Sequence, residues 1–241
     1  MTRLTDTLNT ALKYIYPPSC PYCGEVLEAS ETDVCAACKP RLSYVKEPTC
    51  FKCGCEIEDG TEELCADCRR VEHGFVRGFS AFNYVDPADK ACAAFKYRNG
   101  REYAAYFAGE IIKKHGKHIK EIAPEVLVPV PIHKRKLNKR GYNQAELLAR
   151  ELSRITGIPV DTELIIRKVN TPPQKKYDPV KRANNVKTAF ISSEKIVQYK
   201  SAMLVDDIYT TGATIDACTA ALKGMGIEKT YFVSICIGKG Y

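Results

Sequence analysis

From about residue 79 onward the chain alternates short apolar runs with stretches of helical period. Phe79 to Val85 reads as an aromatic strand, and Asp86 and Pro87 start a helix whose apolar pattern continues through Phe95. Asn99 and Gly100 break it, and Arg101 to Lys114 reads as a second helix. Val126 to Val130 and Ala202 to Val205 are uninterrupted apolar runs, as expected of parallel strands buried on both faces. Asn143 to Thr156 is a helix with Ala145, Leu148, Ala149 and Leu152 inward, and Gly212 to Gly224 another that packs through Leu222 and its alanines. Leu164 to Arg167, Ala189 to Ile191 and Thr230 to Ile237 complete the strands. This alternation predicts an α/β fold, a parallel sheet flanked by helices. Lys168 to Lys187 is polar and too long for an ordinary connector, which predicts a functional loop.

The first 73 residues follow another rule. Leu4, Leu8, Leu12 and Ile15 share one helical face, interrupted by Asp6 and Lys13 and ended by Pro17 and Pro18. That is neither a signal peptide nor a membrane span, so the thiols are expected in a reducing, cytoplasmic setting. Eight of the 12 cysteines form four CxxC pairs that start at Cys20, Cys35, Cys50 and Cys65, 15 residues apart. Their partners are Cys23, Cys38, Cys53 and Cys68. Residues 20–38 and 50–68 also share Gly24 with Gly54, Glu28 with Glu58 and Ala36 with Ala66, a 30-residue repeat holding four cysteines. Four thiolates complete a tetrahedral zinc ion, so two closed structural zinc sites are expected, Cys20, Cys23, Cys35 and Cys38, then Cys50, Cys53, Cys65 and Cys68. A cross-braced pairing and a single zinc stay open, and Cys55 competes for the second site. Cys92, Cys218 and Cys236 lie in apolar surroundings and read as core thiols.

Charge separates the same two regions, a module at 1–73 and a larger domain at 74–241. Residues 131–187 carry 14 Lys or Arg against 5 Asp or Glu, whereas residues 1–73 carry 8 against 13. Two zinc tetrathiolates would lower the net charge from +7 to about +3, all of it within the N-terminal module. Attraction for phosphate therefore belongs to the larger domain, and the cysteine module reads as a scaffold or protein contact.

Within that domain, Met203 to Thr214 reads MLVDDIYTTGAT. An apolar strand delivers Asp206 and Asp207 to a ligand crevice, and Thr210, Thr211, Gly212, Ala213 and Thr214 offer hydroxyls and amides at a helix N-terminus. Carboxylates suit vicinal ribose hydroxyls and the turn suits a phosphate. The basic run His133, Lys134, Arg135, Lys136, Lys139 and Arg140 follows the exit of the Val126 strand, where cations meet pyrophosphate oxygens.

This stretch resembles the phosphoribosyl pyrophosphate (PRPP) motif of type I phosphoribosyltransferases. With the CPYCG start at Cys20, VPVPIHKRKLNKRGYNQAELLA from Val128 and TPPQKKYDPVKRANNVKTAF from Thr171, residues 18–238 resemble the ComF family. These are competence-associated proteins with a double zinc-ribbon or knuckle module fused to a type I phosphoribosyltransferase-like domain. The resemblance implies that Asp206 and Asp207 bind ribose hydroxyls, Thr210 to Thr214 the 5′-phosphate, and Pro131 to Arg135 the pyrophosphate. It also implies a loop over PRPP around Gln174 and Arg182, magnesium bound with PRPP, and a family position at Lys96. Thr210 stands where hypoxanthine-type relatives carry an acid, which disfavours purine salvage.

Three readings stand. The first is a PRPP-binding protein that handles single-stranded DNA in natural transformation, alongside other competence proteins, with Tyr142 and Tyr177 available for stacking. The second is an active phosphoribosyltransferase with an unidentified nitrogen acceptor and no assigned catalytic residue. The third, RNA-binding transcriptional control, has only the basic surface behind it.

Overall fold

A computed structural model of the chain describes residues 17–168, 189–193 and 198–238. The N-terminal helix expected around Leu4 to Ile15, together with Gln174, Tyr177 and Arg182, lies outside the described residues. Six helices and six strands are used below. They are α1 (Ala66–Arg70), β1 (Gly78–Asn83), α2 (Ala88–Tyr97), α3 (Tyr103–Ile122), β2 (Val126–Pro129) and α4 (Lys134–Arg140). After these come α5 (Gln144–Thr156), β3 (Ile165–Arg167), β4 (Phe190–Ser192), β5 (Ser201–Tyr209), α6 (Ala213–Gly224) and β6 (Lys229–Ile237).

β1, β6, β5 and β2 pair in that order as a parallel sheet. Parallel strands need cover on both faces, and the side chains of β5 alternate between two cores. Met203 and Val205, with Val233 and Ile235 of β6, join a cluster built from α2, α3 and α5. Ala202 and Leu204, with Phe232, join a second cluster that holds Ile215, Ala217, Cys218 and Leu222 of α6. The small antiparallel pair β3–β4 packs in this second cluster and is not part of the main sheet. Cys92, Cys218 and Cys236 are fully buried, as their surroundings predict.

α3 runs to Ile122, well past the expected end at Lys114. Tyr103, Phe107, Ile111, His115 and Ile119 continue one buried stripe, so the periodicity survives a sequence dominated by Lys and His. The basic segment after β2 is helical, not a loop. His133 caps α4 by accepting from the Arg135 amide, and Gly141 closes it in the left-handed conformation.

The cysteine-rich region is built into the domain. Tyr44 bridges Phe82, Val45 donates to Ala81 and Asn83 donates to Ser43, so residues 43–45 cover the free edge of β1. Each half of the repeat is a short hairpin, bridged Ser19 to Val26 in the first and Thr49 to Glu56 in the second. The first cysteine group packs in the α2–α3 cluster and the second in the α6 cluster, so the halves serve opposite faces of the sheet. Among the described residues no helix is long and apolar enough to cross a membrane.

Candidate functional site

β5 carries Asp206 and Asp207 toward the carboxyl end of the sheet, the end where open parallel sheets hold ligands. The strand continues to Tyr209, so the acids sit in its last turn of pleat and not beyond it. Pro129 pairs with Val205, and the Val130 amide donates to the Val205 carbonyl at 2.9 Å. That register sets the exit of β2, with Pro131, His133, Lys134 and Arg135, at the same end of the sheet as the two acids.

Asp207 is 3% exposed. Its Oδ2 lies 2.5 Å from Nζ of Lys96 on the last turn of α2, and Gln144 Nε2 donates to its Oδ1 at 3.5 Å from the start of α5. Burial pushes the Asp207 carboxyl up, but the Lys96 charge and its hydrogen bond outweigh that and hold it below the usual carboxylate range. Asp206 accepts from the Asp207 amide at 2.8 Å. Burial, and then the neighbouring Asp207 charge, push Asp206 well above the usual range. The acids are thus a differentiated pair, one anchored as an anion and the other poised to hold a proton. Lys96 is itself raised, because Asp207 overcomes the cost of burying its ammonium.

Cations close the other side. Lys136 is half-buried on α4, and burial followed by the charges of Arg167, Arg140 and Lys96 lowers its pKa. Positive groups crowded in this way become more stable when an anion enters. Arg140 also donates to Gln144 Oε1 and lies over the Tyr97 ring, linking α4 to α2 and α5.

The turn after β5 leaves Thr210 and Thr211 exposed and Gly212 buried. Gly212 has φ +77°, and a Cβ there would come within 2.6 Å of His73 Cε1 and 2.7 Å of the Tyr209 hydroxyl. Only glycine fits that close approach. It is the N-cap of α6 and has no side chain with which to cap, so the first amides of the helix remain available to an anion. Carboxyl pair, cation cluster and helix start together can hold a vicinal diol between two anionic groups.

The structure therefore brings together Asp206, Asp207, the 131–135 segment, Lys96 and the 210–214 turn. It does not support base stacking by Tyr142, which is 6% exposed and donates its hydroxyl to the Phe95 carbonyl. Gln144 escaped sequence reasoning. Its signal was a polar residue at a position where α5 faces inward.

The cysteine groups fit zinc. Cys20, Cys23, Cys35 and Cys38 have Sγ atoms within 4.8 Å of one another, as do Cys50, Cys53, Cys55 and Cys65. Cys23 to Cys35 and Cys53 to Cys65 are each 3.7 Å apart. A tetrahedron with Zn–S bonds of about 2.3 Å has edges of about 3.8 Å, so the thiols already stand at zinc spacing. The second group differs from the expected set, because Cys55 joins it. Cys68 is buried in the same core cluster as Cys50, Cys53 and Cys55.

Residues 11–69 match the Double zinc ribbon domain. The chain is 31% identical to Competence protein F of Haemophilus influenzae over 153 residues, 61% of this chain and 66% of that protein. It is 30% identical to Competence protein ComFC of Bacillus subtilis over 161 residues, 65% of this chain and 62% of that protein. It is 33% identical to DNA utilization protein YhgH of Escherichia coli K12 over 113 residues, 47% of this chain and 49% of that protein. The chain thus spans from about half to about two thirds of the length of these relatives.

Proposed function

Because the chain belongs to the ComF family, we propose that it is a PRPP-binding protein that handles DNA during uptake in the cytoplasm. The observation that carries the sugar phosphate reading is the Lys96–Asp207 pair beside Asp206, 2.5 Å between charges, next to the uncapped start of α6. Asp206 and Asp207 would accept from the ribose 2- and 3-hydroxyls. Amides and hydroxyls of Thr210 to Thr214 would receive the 5′-phosphate, while Lys134, Arg135 and Lys136 face the pyrophosphate. Gln174 and Arg182 belong to the same proposal as a cover over the ligand. Magnesium, when bound with PRPP, would neutralise pyrophosphate charge.

The names of the relatives, competence and DNA utilization proteins, support the DNA part of the reading. The basic 131–187 segment supplies the charge for single-stranded DNA. Contacts with other competence proteins would fall to the acidic 1–73 module, whose two cysteine groups would hold zinc and which would leave phosphate binding to 74–241.

The intact pair Asp206 and Asp207 and the turn from Thr210 to Thr214 also favour a second reading, transfer of the phosphoribosyl group. A nitrogen lone pair would bond to C1 as the C1–O bond breaks, pyrophosphate would leave with the bonding electrons, and the nitrogen would lose a proton to solvent. Calorimetric titration with PRPP and magnesium tests the pocket. Saturable binding by the wild type and none by the folded Asp206→Asn/Asp207→Asn variant is expected, and equal binding by both would remove the assignment. Pyrophosphate release with a panel of amines and bases separates binder from enzyme. A DNA titration at several salt concentrations should show affinity falling steeply with salt, and no association would remove the DNA role.

A further inference from the structure

We infer that His73, in the linker between the cysteine module and the sheet, is a positioning residue for the 209–214 turn. It acts through Asp216 and extends the phosphate-site reading above, on which its ligand arm rests. The His73 side chain is 2% exposed, and its Nδ1 donates to Asp216 Oδ2 at 2.7 Å. The Gly74 amide donates to the other oxygen at 2.9 Å. Both oxygens of a carboxylate in the first turn of α6 are thereby occupied by the linker.

That arrangement has an electrostatic use. An acidic side chain in the first helical turn is attracted to the helix N-terminus and competes there with any incoming anion. Bound to His73 and Gly74, Asp216 is drawn to the linker side, and the first amides of α6 are left to a phosphate. The imidazole also supports the turn directly, since its Cε1 occupies the space that a Gly212 Cβ would need, at 2.6 Å.

The support extends to the second cysteine group. His73 stacks on Phe75 at 4.9 Å, and Phe75 meets Phe232 and Tyr209 edge-on at 5.0 and 6.2 Å. Tyr209 stacks on Phe232 at 4.7 Å. The turn thus rests on a stack whose far side is the second cysteine group, and the residues joining them share one core cluster.

The test uses the full chain and three substitutions. His73→Phe keeps a ring and removes the donor. His73→Asn keeps a donor near the Nδ1 position. Asp216→Ala removes the acceptor. Hydrogen exchange of the 209–216 amides, read without ligand, should accelerate in His73→Phe and stay near wild type in His73→Asn, with zinc at two per chain in both. PRPP affinity should fall about tenfold in His73→Phe, equivalent to about 1.4 kcal/mol, and the His73→Phe/Asp216→Ala double variant should be no weaker than either single one. Unchanged exchange in His73→Phe, a loss of zinc that tracks the faster exchange, or additive effects in the double variant would overturn the inference. If the wild type fails to bind PRPP, the pocket reading falls, and the exchange comparison still decides the role of His73.

Discussion

Ser19 and Val26 close the first cysteine hairpin, and Thr49 and Glu56 close the second at positions 30 residues on. Their hydrogen bonds also correspond. Cys20 donates to Glu25 and Gly24 to Cys20; Cys50 donates to Cys55 and Gly54 to Cys50. What differs is the ground each half stands on. The first rests on α2 and α3, where Tyr22 meets Tyr106 and Phe82. The second rests under β5 and α6, against Phe75 and Tyr209 beside the proposed phosphate turn. A repeat sets the local hairpin, and the docking face assigns its use: the first half braces the helices and the second braces the proposed site.

The largest test removes one thiol from each half. Cys23→Ser and Cys53→Ser should each lower zinc from about two to about one per chain, measured by metal analysis. Since structural zinc is worth about 10–16 kcal/mol in finger peptides, both should lose several kcal/mol of stability. Only Cys53→Ser should accelerate exchange of the 209–216 amides. Equal acceleration by Cys23→Ser would break the distinction between the halves.

Acid should act on the first face. His115 of α3 is 8% exposed, and its Nε2 donates to the Ser80 carbonyl at 2.9 Å. Burial lowers its pKa to about 4 from an ordinary 6.5. The unfolded chain therefore binds the extra proton first, and stability present above pH 6.5 drains as pH falls toward 4, by about 3 kcal/mol. Denaturant midpoints at a series of pH values measure this. His115→Gln retains a donor to Ser80 and should flatten that part of the profile, and an unchanged slope would place the acid sensitivity elsewhere.

Much of this architecture is legible in sequence, for reasons that also explain the gaps. β2 and the Ala202 to Val205 part of β5 are uninterrupted apolar runs, and α5 has a clean inward face between the Asn143 cap and Gly157. Asp206 and Asp207 are legible because strand, acids and turn are contiguous. α4 was unreadable as a helix, since five of its seven residues are Lys or Arg and Leu137 alone hints at a face. The antiparallel β3–β4 pair depends on contacts that no local pattern encodes. His73 and Asp216 stand 143 residues apart and Asp207 and Gln144 stand 63 apart, so neither pairing carries a motif.

Glycine gives a smaller, sharper contrast between the halves. Gly24 has φ +81° with nothing within 4 Å of a built Cβ, while Gly54 has φ +77° and its Cβ would lie 2.6 Å from the Gly78 carbonyl oxygen of β1. Gly24→Ala should cost about 1–2 kcal/mol from backbone strain alone. Gly54→Ala should cost more, because backbone must also move, and equal losses by chemical denaturation would contradict the closer docking of the second half.

Smallest are the effects expected of Cys55→Ser and Cys68→Ser. Cys50, Cys53 and Cys65 belong to both four-thiol sets and only Cys55 and Cys68 can replace one another, so each of these two single replacements should leave about two zinc ions bound, and the double replacement about one. Loss of zinc from Cys55→Ser alone, with Cys68→Ser unaffected, would make Cys55 the obligatory fourth ligand.

The central claim is that the end of β5 is a PRPP pocket. Hydrogen exchange with and without PRPP and magnesium tests it most directly. The account predicts protection concentrated at residues 203–216 and 129–137, absent from the Asp206→Asn/Asp207→Asn variant. Protection elsewhere, or none at these segments under saturating PRPP, would contradict it.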